Sequence, residues 1–405
     1  MAKKNDDFFV EKKPWSKVKD ELLGCYLKPY VAKILYTRKP LAYVDCFAGK
    51  GKFDDGNPGS PLIALDIFRQ GLASTKLDGN ARIGATFIDL NYASDLEMNL
   101  SAYKKRIKIV SGAYEDTIEE LLKSKIGYNV FLYIDPYGIK ALDCTKFDAF
   151  ANGQFNTIEL LINMNSFGFI REACNAMGTK FKVDDRGFFD DLIEYDPTIL
   201  NATDKSIEAL NRIAGGDYWK GIIAQYKSGA IDGYKAEEYF SKQYCQRLSE
   251  SYRYVLNMPI RIQQNQHPKY RMIHATNHPS GCVLMADNVC NRWEILKDIQ
   301  SGGQLALFQE DFNSQIIDKS TIKKRVIEHF SQCDTWISLT EAEAVFYVKY
   351  GAICKSGEIT KVLKELEKDG RLAADRKPAF SEKTNRPTTF MSEGHGQTVS
   401  VKWVK

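Results

Sequence analysis

Short apolar segments alternate with helix-like segments through residues 41–165, and most of these apolar segments end in an aspartate or a glycine. In order they read LAYVD, ARIGATFIDL, RIKIVSG, NVFLYIDPYG and TIELLINMNS. Between them lie helix-like stretches such as SPLIALDIFRQGL, which begins with a capping serine and a proline. Strands that alternate with helices favour a parallel sheet covered on both faces. We therefore predict an α/β fold with five strands in this part of the chain.

Other segments predict how this sheet is extended and covered. Residues 15–36 have apolar side chains at helical spacing and predict an amphipathic helix. Residues 166–250 are mostly helix-like, which indicates a helical insertion after the fifth strand. Residues 252–262 and 270–277 read as two further strands joined by a hairpin loop, and a helix follows them.

The C-terminal part of the chain has a different order of elements. Residues 303–317 are polar and predict a linker. Beyond it, three helix-like segments precede two strand-like segments, and the third helix has Ser356 as its cap and Gly370 as its stop. This order is typical of a winged helix-turn-helix. We predict a Rossmann-like domain over 10–302 and a winged-helix domain over 318–405.

The composition is that of a globular protein without a membrane segment. Apolar residues make up 44% of the chain and charged residues 27%. No run of about 18 apolar residues occurs, and the N-terminus is too polar for a secretory signal. The nine cysteines are scattered singly with no C-x-x-C pair, which favours reduced thiols. We expect a cytoplasmic protein with no membrane partner.

The formal net charge of +4 is unevenly distributed. Residues 315–405 carry 16 Lys and Arg against 12 Asp and Glu, whereas the rest of the chain carries 40 of each. This excess is a weak indication of a polyanionic partner. Lys323, Lys324 and Arg325 are candidate substrate-binding residues here, with an ordinary solvated helix face as the alternative.

Three strand ends carry the chemical signal: the ends at Asp45, at Asp89 and at the D-P-Y-G of residues 135–138. Gly49 and Gly51 follow the first strand, where small residues let a ligand approach the backbone. Asp89 ends the second strand, where an acidic residue can bind ribose hydroxyls. The G-K-G-K-F loop lacks the third glycine of an NAD fingerprint, and no ATP-type phosphate loop occurs. A cofactor without a pyrophosphate, such as S-adenosylmethionine (SAM), needs fewer glycines.

The motifs YVDCFAGKG, NPGSPLIAL, FID, YIDPYG and IHATNHPSG occur in this order. With them, the chain resembles the three-Cys-motif partner protein (TcmP) family over about residues 10–300. The resemblance implies a Rossmann-like class I methyltransferase sheet, SAM as cofactor and a radical-SAM-like three-Cys protein as a possible partner. PGSPLIA and IDP are also similar to the rRNA adenine-N6 methyltransferases, and DPYG to the tRNA guanine-N2 methyltransferases.

These resemblances imply roles for the strand-end residues. The implied cofactor-binding residues are Asp45, Phe47, Gly49, Gly51 and Asp89. The implied catalytic residues are Asp135, Pro136 and Tyr137, with Tyr137 stacking on the base. The adenine enzymes have D/N-P-P-[YFW], whereas this chain lacks the second proline and has its aromatic residue one place earlier. Guanine or a non-base amine therefore stays open beside adenine.

An acidic strand end suits the methylation of a nucleobase amine, whose lone pair is delocalised into the ring. The Asp135 carboxylate and the Pro136 carbonyl could accept its two N–H groups and aim the lone pair at the methyl group. Asn163, after the fifth strand, is a further candidate for substrate binding. We expect no metal site, because His274 and His278 would not share a helix face.

Methylation of an exocyclic amine in RNA or DNA is the expected function, with RNA slightly preferred from the resemblances. Two alternatives remain open at this point. The chain could methylate a protein or a small molecule. It could also be a non-catalytic accessory protein of the radical-SAM-like neighbour.

Overall fold

The computed structural model describes residues 7–74, 82–182, 204–260, 268, 270–300, 318–382, 384–394 and 396–404. The chain divides into two compact units, Met1–Asn277 and His278–Lys405, called here the N-terminal and C-terminal units. The strands of the described residues are β1 Leu41–Asp45, β2 Ile83–Asp89, β3 Ile107–Ser111, β4 Asn129–Ile134, β5 Thr157–Met164, β6 Tyr254–Ile260, β7 Tyr270–Thr276, β8 Ile337–Ser338, β9 Leu372–Lys377 and β10 Thr398–Trp403.

The α-helices of the same residues lie between and around these strands. They are α1 Asp7–Val10, α2 Pro14–Tyr36, α3 Ser60–Ser74, α4 Ala93–Asn99, α5 Tyr114–Lys123, α6 Cys144–Ala151, α7 Ser166–Ala176, α8 Asp204–Ala214, α9 Trp219–Lys227, α10 Gly233–Leu248, α11 Pro279–Gln300, α12 Lys319–Phe330, α13 Leu339–Tyr350 and α14 Ser356–Lys368. The helix predicted over 15–36 is confirmed as α2, and helices α7–α10 lie within the predicted insertion.

The N-terminal unit is built on a seven-stranded sheet of order β3-β2-β1-β4-β5-β7-β6. The first five strands are parallel, and β7 runs antiparallel between β5 and β6. The α/β fold and its five predicted strands are therefore confirmed. The two further strands are confirmed as β6 and β7, whereas most of their predicted hairpin loop lies outside the described residues.

Helices cover both faces of this sheet because its central strands are apolar on both sides. On one face α2 packs on β4, with the ring centroids of Tyr26 and Phe131 5.9 Å apart. On the other face, Leu132 belongs to a buried cluster that includes Trp219 and Phe240. Such two-sided burial is typical of parallel sheets.

The C-terminal unit contains a three-stranded antiparallel sheet of order β8-β10-β9 with helices α11–α14. Helix α11 belongs to this unit, because Cys282 Sγ lies 3.8 Å from the Ala344 carbonyl and Asp287 accepts the Ser356 N–H at 2.7 Å. The predicted linker 303–317 lies outside the described residues, so the domain bounds 10–302 and 318–405 stay a prediction. Within the described part of the chain, no helix combines the length and apolarity needed to cross a membrane.

Candidate active site at the carboxyl edge of the sheet

The strand order reverses between β1 and β4, which lie side by side with Asp45 opposite Tyr133. From β1 the sheet leads through β2 to β3 on one side and through β4 to β5 on the other. Ligands of open α/β sheets bind outside the carboxyl ends of the strands at such a reversal. Asp45 and Asp89 end β1 and β2, and Asp135 directly follows β4. All three predicted strand ends therefore meet at this edge.

The loop after β1 closes tightly onto the start of α3. Gly49 and Gly51 have φ angles of 59° and 76°, a left-handed conformation that glycine adopts without steric cost. The Gly59 N–H donates to the Gly51 carbonyl at 3.0 Å, and a Cβ on Gly59 would lie 3.1 Å from that oxygen. A side chain at Gly59 would therefore require the Gly51 backbone to shift by a few tenths of an ångström.

Asp89 fastens this loop to the segment after β2. Its Oδ2 accepts the Gly49 N–H at 2.8 Å, and its Oδ1 accepts the N–H groups of Asn91 and Tyr92 at 2.8 and 2.7 Å. A carboxylate offers about four acceptor positions. Three are used, so one position on Oδ2 is left for a ligand hydroxyl. The neighbouring Leu90 is 52% exposed and presents apolar surface beside it.

Asp45 is buried beneath the loop. Its Oδ2 accepts the Ser60 hydroxyl at 2.7 Å, and its Oδ1 accepts the Phe47 N–H at 3.3 Å. Burial raises the pKa of Asp45 to about 7, against the lowering effect of these hydrogen bonds, and Asp135 and Asp20 raise it further. Asp45 therefore ties the start of the loop to α3.

The two residues after Asp45 also pack inward. The Phe47 ring lies 5.4 Å from that of Tyr114, centroid to centroid. Cys46 is buried, and burial raises the pKa of its thiol well above the ordinary value, so it is a poor nucleophile. The cofactor contacts expected of Asp45 and Phe47 stay predictions.

Asp135 is held by three side chains. Lys19 Nζ lies 2.8 Å from both of its carboxylate oxygens, Asn163 Nδ2 donates to Oδ1 at 2.7 Å, and the Tyr133 hydroxyl donates to Oδ2 at 3.3 Å. The Lys19 side chain is 10% exposed and that of Asp135 is 21% exposed. The structure therefore brings the predicted Asn163 and Asp135 together, although Asn163 lies within β5 and not after it as predicted. It also adds Lys19 and Tyr133, which the sequence analysis missed.

A second ion pair involves the residue that follows Lys19 in the sequence, Asp20. Lys12 Nζ lies 2.6 Å from Asp20 and donates to the Pro58 carbonyl at 2.8 Å. Burial raises the pKa of Asp20 to about 6, opposed chiefly by Lys12. No local sequence pattern indicates this charge cluster, because Lys12 and Lys19 also contact Pro58 and Asp135, which are distant in the sequence.

Aromatic rings from the N-terminus lie over the glycine loop. The Phe8 ring lies 5.4 Å from that of Tyr137, edge to face. A Cβ on Gly49 would lie 2.9 Å from the Phe9 ring. Lys50, which had no role from sequence, places Nζ 5.1 Å from the centre of the Phe9 ring. Tyr137 itself is 52% exposed, and its stacking on a base stays a prediction.

His274 lies within the sheet rather than at its edge. It is buried on β7, with Nε2 3.0 Å from Glu159 Oε2, and the Tyr26 hydroxyl donates to the same oxygen. His278 belongs to the other unit. Among the residues that the structure describes, no group of His, Cys, Asp and Glu side chains could hold a metal ion.

The predicted basic cluster lies on α12 of the C-terminal unit. Lys323 Nζ is 2.7 Å from Glu365 on α14, and the Arg325 guanidinium lies 5.5 Å from the centre of the Tyr350 ring. Glu365 thus offsets part of the local positive charge. The substrate-binding role of these residues stays a prediction.

No protein-family model matches the chain, and no curated protein matches its sequence. Among solved structures, the chain is similar to a loganic acid methyltransferase with SAH, at 8% sequence identity, over 72% of this chain and 87% of that chain. The TM-score is 0.26, which does not establish a common fold. The strand order itself, with seven mostly parallel strands, fits a Rossmann-like methyltransferase fold.

Proposed function

We propose that this chain is a SAM-dependent methyltransferase that methylates an exocyclic amine of a nucleobase in RNA or DNA. One observation carries the proposal: the glycine loop, Asp89 and the Asp135-Pro136-Tyr137 motif meet at the carboxyl edge where the strand order reverses. Ligands of open α/β sheets bind at this edge where the strand order reverses. The TcmP resemblance of the motifs supports the same reading.

The loop and its neighbours fit SAM. Asp89 has one acceptor position left for a ribose hydroxyl, and the exposed Leu90 offers apolar surface for an adenine ring. Gly49 and Gly51 adopt left-handed φ angles and add no side chain of their own to the loop. SAM would supply the methyl group.

The groups after β4 would bind the acceptor. The Pro136 carbonyl lies next to Asp135, whose negative charge is compensated by Lys19. The exposed Tyr137 ring would stack on the base, a contact worth about 1–3 kcal/mol per base. A base within a duplex would first have to be flipped out.

The C-terminal unit would hold the polymer as a winged helix-turn-helix. Its helices α12–α14 and the β8-β10-β9 sheet follow the order expected of that motif. The side chains of Lys361, Lys364 and Lys368 are exposed on α14 and would contact phosphates. RNA is the preferred polymer, and a radical-SAM-like three-Cys protein is a possible partner.

Calorimetry with SAM tests the cofactor. We expect binding by the wild-type protein and at least a tenfold loss in Asp89→Ala, whereas Glu97→Gln, an exposed change on α4, serves as the control. A wild-type protein that binds no SAM would contradict the proposal and favour the accessory-protein alternative.

Transfer of tritiated methyl groups from SAM to extracted RNA, DNA and protein tests the acceptor. We expect label in RNA or DNA, and loss of transfer in Asp135→Ala with SAM binding nearly intact. Label in protein alone would refute the nucleobase substrate and leave the methyltransferase standing.

A further inference from the structure

The acceptor capacity of Asp135 is already filled. Oδ1 accepts from Lys19 at 2.8 Å and from Asn163 at 2.7 Å, and Oδ2 accepts from Lys19 at 2.8 Å and from Tyr133 at 3.3 Å. A carboxylate has about four acceptor positions. None is left for the N–H groups of a substrate amine while Lys19 is in place.

The side-chain oxygen of Asn163, Oδ1, is the acceptor next to Asp135 that remains available to a substrate. Its orientation is fixed, because the Asp135 carboxylate can only accept and must face the NH₂ group of the amide. Asn163 is 2% exposed, and no described residue donates to its Oδ1. A buried acceptor without a donor is unfavourable, so an N–H group that reaches it is bound favourably.

We propose that Asn163 Oδ1, rather than Asp135, accepts an N–H of the substrate amine. Lys19 is then a positioning residue, because it blocks the Asp135 oxygens and leaves Asn163 Oδ1 as the acceptor. Lys19 occupies both oxygens of Asp135, and Asp135 in turn orients the Asn163 amide. Donation of the amide NH₂ to a carboxylate polarises the amide and strengthens its oxygen as an acceptor. The inference rests on the proposed function, since it names the group that recognises the amine.

Matched nucleosides test it: adenosine against purine riboside, which lacks the 6-amine, and guanosine against inosine, which lacks the 2-amine. Saturation-transfer NMR measures their affinities for the full-length protein. We expect about a fivefold preference for one amine-bearing nucleoside, as for one net hydrogen bond. Asn163→Ala should weaken this preference, because it removes Oδ1 of the amide and opens only one position on an Asp135 oxygen that Lys19 still occupies. Tyr133→Phe, which removes another donor to Asp135 but leaves the amide, should keep it.

Lys19 is tested in the same assay. Lys19→Arg should keep the preference, since Arg can also donate to both oxygens. Lys19→Met combined with Asn163→Ala should regain it, because the Asp135 oxygens are then open. If circular dichroism shows that the Lys19→Met protein is unfolded, Lys19→Gln takes its place, since glutamine can donate to one oxygen only.

An Asn163→Ala variant that keeps the preference would overturn the inference, as would a wild-type protein that prefers neither amine-bearing nucleoside. If the Lys19→Met, Asn163→Ala double variant does not regain the preference, Lys19 has no part in the choice of acceptor. The proposed function fails separately, by absent SAM binding or by label found outside nucleic acid.

Discussion

Lys19 Nζ lies 2.8 Å from both carboxylate oxygens of Asp135, which is 116 residues further along the chain. The two side chains are only 10% and 21% exposed. The first long helix is therefore joined to the carboxyl edge of the sheet by an ion pair in a largely buried setting, where the loss of one partner leaves the other charge uncompensated.

We expect Lys19→Met to lower the free energy of unfolding by about 2–3 kcal/mol, below the range for fully buried pairs because Asp135 stays partly hydrated. Urea denaturation followed by circular dichroism measures this. The control is Lys123→Met, which breaks an ion pair with Glu120 of the same 2.8 Å length at 72% and 79% exposure. That change should cost at most about 0.5 kcal/mol. Equal losses in the two variants would contradict the prediction.

Gly49→Ala should destabilise the protein more than Gly178→Ala does. Both glycines are left-handed, at φ 59° and 64°, so both variants bear the strain of about 1–2 kcal/mol that a Cβ meets there. A Cβ at Gly49 would also lie 2.9 Å from the Phe9 ring, whereas nothing lies within 4 Å at Gly178.

We expect this contact to add about 1 kcal/mol at Gly49, as overpacking does. The extra loss should vanish when Gly49→Ala is made in a Phe9→Ala background, which thermal or urea unfolding can measure. An undiminished extra loss there would mean that Phe9 is not its source.

The Asp45 carboxyl should make the free energy of unfolding fall as pH rises. Burial raises its pKa in the folded protein to about 7 from an ordinary value of 3.8, so the folded state holds the proton more tightly. The stabilisation is complete below about pH 4 and is lost as pH rises through about 7. Asp20, with a pKa raised to about 6, acts in the same direction.

Asp45→Asn should therefore flatten the fall in unfolding free energy between about pH 4 and 7. Urea denaturation at a series of pH values measures the slope. Glu343→Gln in the C-terminal unit is the comparison. Burial raises the pKa of Glu343 to about 8, so the pH range in which this carboxyl affects stability extends about one unit higher. A slope unchanged by Asp45→Asn would show that this carboxyl does not titrate as expected.

The exposed lysines of α14 should carry the salt dependence of RNA binding. Each phosphate contact contributes about 0.7 to the slope of log affinity against log salt for single strands. Lys364→Gln should reduce the slope by about this amount. Lys323→Gln should reduce it by less, because the nearby Glu365 carboxylate, 2.7 Å from Lys323, offsets part of its charge. Filter binding across a salt series measures both slopes, and the reverse order would favour the α12 cluster as the contact surface.

The sheet and its strand ends could be predicted from sequence because their signals are local. LAYVD and NVFLYI are continuous apolar runs, and Asp45, Asp89 and Asp135 mark where such runs stop. The carboxyl ends of parallel strands meet at one edge, so local segments were enough to bring these three residues together.

The surroundings of Asp135 could not be predicted in this way. Lys19 looks like any polar residue of an amphipathic helix, and its partner depends on how that helix crosses the sheet. The place of α11 was also hidden, since the Asp287–Ser356 contact joins residues 69 positions apart. That the acceptor positions of Asp135 are filled likewise becomes visible only in the structure, because the donors come from three elements: β4, β5 and α2.

Helix α2 has a consequence for the order in which the protein is made. Its residues are translated before its partners at the sheet, which are Asp135, Glu159 and His274. Tyr26 and His274 are 248 residues apart, so α2 must wait for most of the N-terminal unit to be synthesised before its buried face is covered. The helix that completes the candidate site is thus translated before the strands that cover its buried face.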